Sequence, residues 1–397
     1  MRDVGQISNE LEYIVCGVDA EGVIETCGLP VLYEVNQRDI LELNVSLAKD
    51  ISELNANVRG LTSELMKAVK EVKGTMYGGS SVLADVTALE PRRYRTTSLS
   101  ESCARNLLDI TSQQIVLGVT DESLGFELYN LFRNINPVLL ALTASSPYRF
   151  TEGKLEDTGL LSRRPEKYEA ICRYFPKDML MMKPLASLEE YLAELRTISD
   201  EVNRRLKSGE LDANLEELRK IRSNDGRAYS YIPFDCLAPH QIYWPNRIRP
   251  DHRTIEKGGS SVFSLELRIP DLPTTVSRIQ MLNSFVVGLA YYAADYGADD
   301  IPAPFNASHD DLKAAAMDGL HAKINGNDVW CVAQALAAYA GRGLKERGHT
   351  RECELLGRRL ERVLKHGNDA ELIRKAGFIN PDELRDYLVK RLAADEE

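Results

Sequence analysis

Nowhere in the 397 residues do two cysteines form a Cys-x-x-Cys pair, and the seven cysteines (16, 27, 103, 172, 236, 331, 353) are scattered and odd in number. That pattern argues against a disulfide framework and a cysteine zinc site, and it suits a reducing cytosol. The histidines, at 240, 252, 309, 321, 349 and 366, show no zinc-ligand spacing. No run reaches the roughly 18 uninterrupted apolar residues of a membrane span. The opening segment, MRDVGQISNELEY, lacks the apolar core of a signal peptide, so a cytoplasmic protein is expected. Positive charge is in deficit: 49 Lys and Arg stand against 60 Asp and Glu, a formal charge of −11. Nucleic acids and anionic membranes attract a positive field, and neither is expected as a partner. A Gly-x-x-x-x-Gly-Lys-Ser/Thr phosphate loop is missing, as is a Gly-x-Gly-x-x-Gly between a strand and a helix. Internal repeats, low-complexity tracts and a clear linker are also absent. One large α+β domain over residues 1–397 is therefore expected, helical from about 275 onward.

What the sequence does contain is alternation. In SVFSLELRIPD, residues 261–271, a strand would turn Phe263, Leu265, Leu267 and Ile269 one way and Ser264, Glu266 and Arg268 the other. An apolar back and a charged front describe the wall of a site, because charge is costly to bury unless something binds it. ISNELEYIVC, residues 7–16, does the same with Leu11, Tyr13 and Val15 behind and Ser8, Glu10 and Glu12 in front. Side chains at i and i+2 lie about 7 Å apart on one side of a strand. Two glutamates so placed repel unless a cation sits between them. DILELNV places Glu42 and Asn44 opposite Leu41, Leu43 and Val45; SQQIVLGV places Gln114 and Val116 opposite Ile115, Leu117 and Val119.

Apolar residues recurring every three or four positions from Leu47 to Val72 predict a helix that packs on the back of the sheet, with Ser46 as N-cap and Gly74 at its C-terminus. Further helices are expected at about 123–144, interrupted or kinked by Pro137, from 187 with a Ser187/Glu190 capping box, from Thr274 or Thr275 to Tyr296, from Ser308, over 327–347 and 351–366, and from Asn380-Pro381. SSPYRF and GLLSRRPEKY read as turn-rich loops carrying Arg149, Arg163 and Arg164, and 224–259 as a long irregular segment of the kind that is usually functional. Arg92, Arg93 and Arg95 make a local positive cluster suited to phosphate or carboxylate.

Brought together, Glu10, Glu12, Glu42, Gln114 and Glu266 form an oxygen-rich set of the kind that Mg²⁺ or Mn²⁺ selects. From the residues alone the reading is a metal- and anion-binding sheet. A solvated acidic sheet without a site is the structural alternative.

The order of these pieces resembles glutamate–cysteine ligase family 2, the carboxylate–amine ligases related to glutamine synthetase. Glu266, Arg268 and Asp271 fall in register with the family's Glu-x-Arg-x-x-Asp strand. Ser146-Pro147, Gly159, Ser162 and Arg164 resemble its Ala-x-Ser-Pro turn and Gly-x-x-Ser-x-Arg. Arg249-Pro250 resembles its Arg-Pro pair, and Gly367, Asn368, Ala370 and Arg374 a late helix motif. One departure stands out. Many bacterial members carry His-x-His on the third strand, where this chain has Gln114 and Val116; plant-type enzymes also have Gln at the first of these positions.

The resemblance implies a curved, mainly antiparallel sheet with helices on its outer face, like the glutamine synthetase catalytic domain, and a variable substrate-side insertion at about 170–240. It implies ATP and Mg²⁺ or Mn²⁺ as cofactors, with Glu10, Glu12, Glu42, Gln114 and Glu266 as metal ligands. Arg268, Arg164 and Arg249 become the catalytic candidates, and Arg268, Arg95 and Arg149 the nucleotide-binding ones. The expected substrates are an amino-acid carboxylate, the γ-carboxyl of glutamate if the family's best-known reaction holds, and an amine, which would then be that of cysteine. A homo-oligomer is allowed. The alternatives are a non-catalytic relative that keeps nucleotide or metal, and a guanidino-kinase-like phosphotransferase.

Overall fold

A computed structural model describes residues 2–33, 39–83, 110–171, 183–209, 245–249, 263–304 and 306–394. The Arg92, Arg93 and Arg95 cluster and most of 224–259 lie outside the described residues.

Strand β1, Val4–Cys16, is the hub. It pairs antiparallel with β3 (Ile40–Asn44), β4 (Thr75–Tyr77) and β5 (Gln113–Val119). Strand β2 (Val31–Tyr33) extends β3, while β9 (Phe263–Leu267) pairs with β5 and β8 (Asn246–Arg249) pairs with β9. Among the described residues this makes a seven-stranded sheet, ordered β2-β3-β1-β5-β9-β8 with β4 beside β1, and every pairing is antiparallel. The strand predicted over 261–271 ends at Leu267. Pro270 has no N–H to continue the ladder, and Asp271 makes an isolated bridge to Ser112.

The back of the sheet is apolar, as the alternation requires. Leu11, Tyr13, Val15, Leu41, Leu43, Ile115, Leu117, Leu265 and Leu267 all enter one large core. Helix α2 (Ile51–Glu71) lays Ile51, Leu54, Val58, Leu65 and Val69 into the same core. Its N-cap is Asp50, not Ser46: the Asp50 carboxylate accepts from Glu53 N at 2.9 Å. At its other end Lys73, not Gly74, takes the left-handed conformation, with φ 65. Gly74 N then donates to Val69 O and Lys73 N to Lys70 O, which ties off two terminal carbonyls. Gly74 is needed for a different reason: a Cβ there would lie 2.5 Å from Val18.

Helix α3 (Glu122–Thr143) contains Pro137 and follows β5. SSPYRF and the residues after it form a hairpin, β6 (Tyr148–Thr151) with β7 (Lys154–Asp157), instead of a loop. Within GLLSRRPEKY, helix α4 (Arg164–Ile171) begins at Arg164. Pro165 stands at its second position, where no N–H is needed. Helix α1 (Ala20–Cys27) also had no counterpart in the sequence reading. Helix α5 spans Leu188–Lys207, and Ser187 accepts from Glu190 N as expected of its cap.

Helix α6 (Val276–Tyr296) is buried along nearly its whole length, and its Gln280, Asn283 and Ser284 bond to Asn55 of α2 instead of facing solvent. Around it come α7 (His309–Asp318), a short hairpin of β10 (Lys323–Ile324) and β11 (Asn327–Asp328), α8 (Val329–Glu346) and α9 (Thr350–His366). Helices α10 (Asp369–Ala376) and α11 (Pro381–Ala393) end the fold. Their Ile373, Leu384 and Leu388 join Ile14, Ile40 and Tyr77 in a second, smaller core on the front of the sheet. No helix among the described residues is long and apolar enough to cross a membrane.

Candidate functional site

The front of the sheet, opposite the large core, carries the charge. Strand register decides which side chains share it. Glu12 stands directly across from Glu42, and Glu10 lies between Asn44 on one side and Gln114 on the other. Val116, two residues beyond Gln114, is the partner of Glu266, which in turn faces Arg247. Because side chains alternate and paired residues share a face, Glu10, Glu12, Glu42, Gln114 and Glu266 all project from one side.

Along β1 and β3 this face is acidic. Glu12 and Gln114 are buried, each at 3% exposure. Gln114 Nε2 donates to Glu12 Oε1 at 2.9 Å, and Asn44 Nδ2 donates to Glu42 Oε1 at 2.8 Å. Each amide therefore orients a carboxylate. Gln114 Oε1 is buried without a hydrogen-bond partner, which leaves an unsatisfied oxygen on this face. Like charges directly opposite one another destabilise a sheet. Burial raises the pKa of Glu10, and the Glu266 charge adds to the rise against the pull of Arg249, Arg268 and Arg247.

Along β9 and β8 the same face is basic. Arg247 Nε and Nη2 both donate to Glu266 Oε2, at 2.8 and 2.5 Å. Arg249 Nη1 reaches the same oxygen at 3.4 Å, and Arg268 Nη1 reaches Oε1 at 2.7 Å. Glu266 is fully buried. Burial alone would raise its pKa, but Arg247, Arg268 and Arg249 together hold it far below the ordinary carboxylate range. Burial lowers the pKa of Arg247, opposed by Glu266. Arg249 also stands 3.9 Å from Glu10, and so lies between the two carboxylates.

The sequence-predicted residues thus divide. Glu10, Glu12, Glu42, Gln114, Glu266, Arg249 and Arg268 come together on one face. Arg164 is buried elsewhere, donating to the carbonyls of Thr111 and Pro270 at 2.6 and 3.2 Å beside Asp271. Asp271 accepts from Ser145 N and from the Ser146 hydroxyl, and burial raises its pKa. These contacts pin the chain just outside β9. Arg149, on β6, pairs with Glu166 of α4 at 2.6 Å. Arg95 lies outside the described residues. Arg247 was missed, although its signal was present: Asn-Arg-Ile-Arg, 246–249, carries the same i, i+2 alternation as Glu10-Leu-Glu12.

The oxygen donors fit a hard divalent cation in kind, and Gln114 Oε1 is a donor still to be used. Among the described residues, no three His, Cys, Asp or Glu side chains converge tightly enough to hold an ion as they stand. Instead, two carboxylates, Glu12 and Glu42, stand across β1 and β3 from each other, and a third, Glu10, lies beside the Gln114 amide.

A family model described as glutamate–cysteine ligase family 2 matches residues 7–387. No curated protein matches the sequence. Among solved structures, the glutamate–cysteine ligase of Francisella tularensis in complex with AMP superposes with a TM-score of 0.63 at 12% identity, covering 100% of this chain and 90% of that one. A bifunctional glutathione synthetase from Pasteurella multocida superposes with a TM-score of 0.51, also at 12% identity. The match covers 98% of this chain and 53% of the synthetase. At that identity the likeness is one of fold.

Proposed function

The chain belongs to glutamate–cysteine ligase family 2, and from that membership we propose that it is an ATP-dependent carboxylate–amine ligase working through an acyl phosphate. The division of one sheet face into an acidic half, Glu10, Glu12 and Glu42, and a basic half, Arg247, Arg249 and Arg268, carries this reading. A triphosphate needs both: cations held on carboxylates, and guanidinium groups for the oxygens that gain charge as the phosphoryl group moves.

When bound, Mg²⁺ or Mn²⁺ would neutralise phosphate oxygens and align the γ-phosphoryl group. Glu10, Glu12, Glu42 and the Gln114 amide oxygen would hold it. A substrate carboxylate oxygen attacks the γ-phosphorus and ADP leaves. The amine then attacks the acyl carbon, phosphate leaves, the amine gives up a proton and the amide remains. Arg249 and Arg268 face the phosphoryl group, and no cysteine or serine nucleophile is required. Arg164 acts indirectly, by fixing the ends of β5 and β9. The favoured pair is the γ-carboxyl of glutamate with the amine of cysteine, as in glutathione biosynthesis.

The test supplies ATP, Mg²⁺ and a panel of amino-acid pairs, and identifies any new amide by mass. ADP formation stimulated by glutamate, with one amide per ADP, is the expected result. A phosphorylated product without an amide would point to a phosphotransferase. Binding of ATP with no turnover on any pair would make the chain a non-catalytic member of its family.

A further inference from the structure

Glu266 falls where the family's metal-binding carboxylate is expected, but its surroundings are those of an anion site. Both of its oxygens are engaged by guanidinium groups, Oε2 by Arg247 and Arg249 and Oε1 by Arg268. Its cross-strand neighbour on β5 is Val116, which offers no ligand atom. Arg249, at 3.9 Å from Glu10 and 3.4 Å from Glu266, occupies the space that a cation shared by those two carboxylates would need. Three arginines against Glu266 and the nearby Glu10 leave a local charge of about +1, which repels a divalent cation and attracts phosphate. Arg249 also keeps a buried Nε–H without a hydrogen-bond partner.

The three arginines are not equivalent. Arg247 is almost wholly buried and grips one Glu266 oxygen with two donors. Arg249 and Arg268 retain 23% and 16% side-chain exposure. We propose that Glu266 is not a metal ligand here: with Arg247 it forms a buried anchor that holds Arg249 and Arg268 in place as a phosphoryl clamp, while the cation set is confined to β1, β3 and β5. Arg247 and Glu266 are thus positioning residues, and Arg249 and Arg268 are the groups that touch the anion. This assignment rests on the ligase reading for the identity of the anion, but its division of labour can be measured without turnover.

Mn²⁺ affinity is measured by electron paramagnetic resonance on the full chain without nucleotide, for the wild type, E12Q and E266Q. E12Q should weaken Mn²⁺ binding roughly tenfold or more, as loss of a group in the metal site does. E266Q should change it less than about fivefold, the effect of a screened charge at a distance. A double variant, E266Q/R247M, removes the buried pair together, leaving the partly exposed Arg249 and Arg268 as the cations beside position 266, and repeats the comparison for the case in which E266Q alone does not fold. R247K keeps the charge but loses the fork, and should lower kcat by about 10²-fold with Mn²⁺ affinity unchanged. Loss of Mn²⁺ binding in E266Q or the double variant to the same extent as in E12Q would overturn the assignment. So would an R247K enzyme with wild-type kcat. If the wild type makes no amide from any pair, the ligase reading fails, yet the Mn²⁺ comparison still decides what Glu266 does.

Discussion

Glu10 is ionised at a cost. Its carboxyl is mostly withdrawn from solvent beside the Glu266 charge, and its pKa in the folded chain lies above the ordinary value of 4.5. A raised carboxyl contributes stability that is present in full below the unfolded value and is lost as pH rises through the folded one. In metal-free protein at pH 8, E10Q should therefore melt higher than the wild type, and the difference should shrink as pH falls toward 4.5. Added Mg²⁺ should stabilise the wild type and not E10Q. Differential scanning fluorimetry over pH, with and without Mg²⁺, checks both; an E10Q protein that melts lower at pH 8 would contradict them. This residue's place on the front face was legible in the sequence, because Leu11 and Tyr13 fix the alternation around it. Arg249 was named from the family resemblance, but its nearness to Glu10 was not legible, because nothing local brings β8 beside β9 and so toward β1.

Among the elements, α6 and α8 show how close approach is written into glycine. A Cβ on Gly288 would lie 2.4 Å from Ala340 O, and one on Gly343 would lie 2.2 Å from Gly288 O. Two helix backbones touch there, and α8 cannot move without uncovering the largely buried α6 beneath it. G288A and G343A should each cost about 1–3 kcal/mol by overpacking, read as a lower midpoint in urea with an unchanged slope. G357A, at a helical position with nothing within 4 Å, is the control and should be neutral or slightly stabilising. The helix itself was plain from its apolar length and the Thr275 cap. The need for Gly288 was hidden, since a glycine inside a helix looks only like a poor helix former until the facing backbone is known. The β6 hairpin escaped notice for a related reason. Its four-residue strands, with Lys154, Glu156 and Asp157 in the second, carry too little apolar alternation to stand apart from a turn.

For the whole molecule, Asp369 is where the C-terminal helices join the rest. It is 1% exposed, pairs with Arg278 at 3.2 Å and Arg391 at 3.1 Å, and accepts from Thr274 N at 2.8 Å. Burial alone would raise its pKa, but Arg278, Arg391 and the Thr274 bonds lower it overall. Through these contacts α6, α10 and α11 meet the segment that leaves β9. D369A removes the carboxylate that two poorly solvated arginines share and should cost about 3–5 kcal/mol. Hydrogen exchange should rise across 370–393 and at Tyr77 and Ile14, whose front-face core those helices supply. Fast exchange confined to α10 would show instead that the helices hold on by apolar packing alone.

By itself the sequence determined which side chains share a face of each strand and where most helices begin. Those features depend on residues a few positions apart: the backbone alternates with period two, and a cap needs only its own first turn. The α+β class followed from that, as did a front that is acidic on three of the four patterned strands and bears Gln114 on the other. Only the tertiary structure decided which strand lies beside which and in what register. It set Glu12 against Glu42, bridged Gln114 to a carboxylate 102 residues away, and surrounded Glu266 with arginines. A charge acquires its role from whatever is folded within a few ångströms of it, and that neighbourhood is created by long-range pairing.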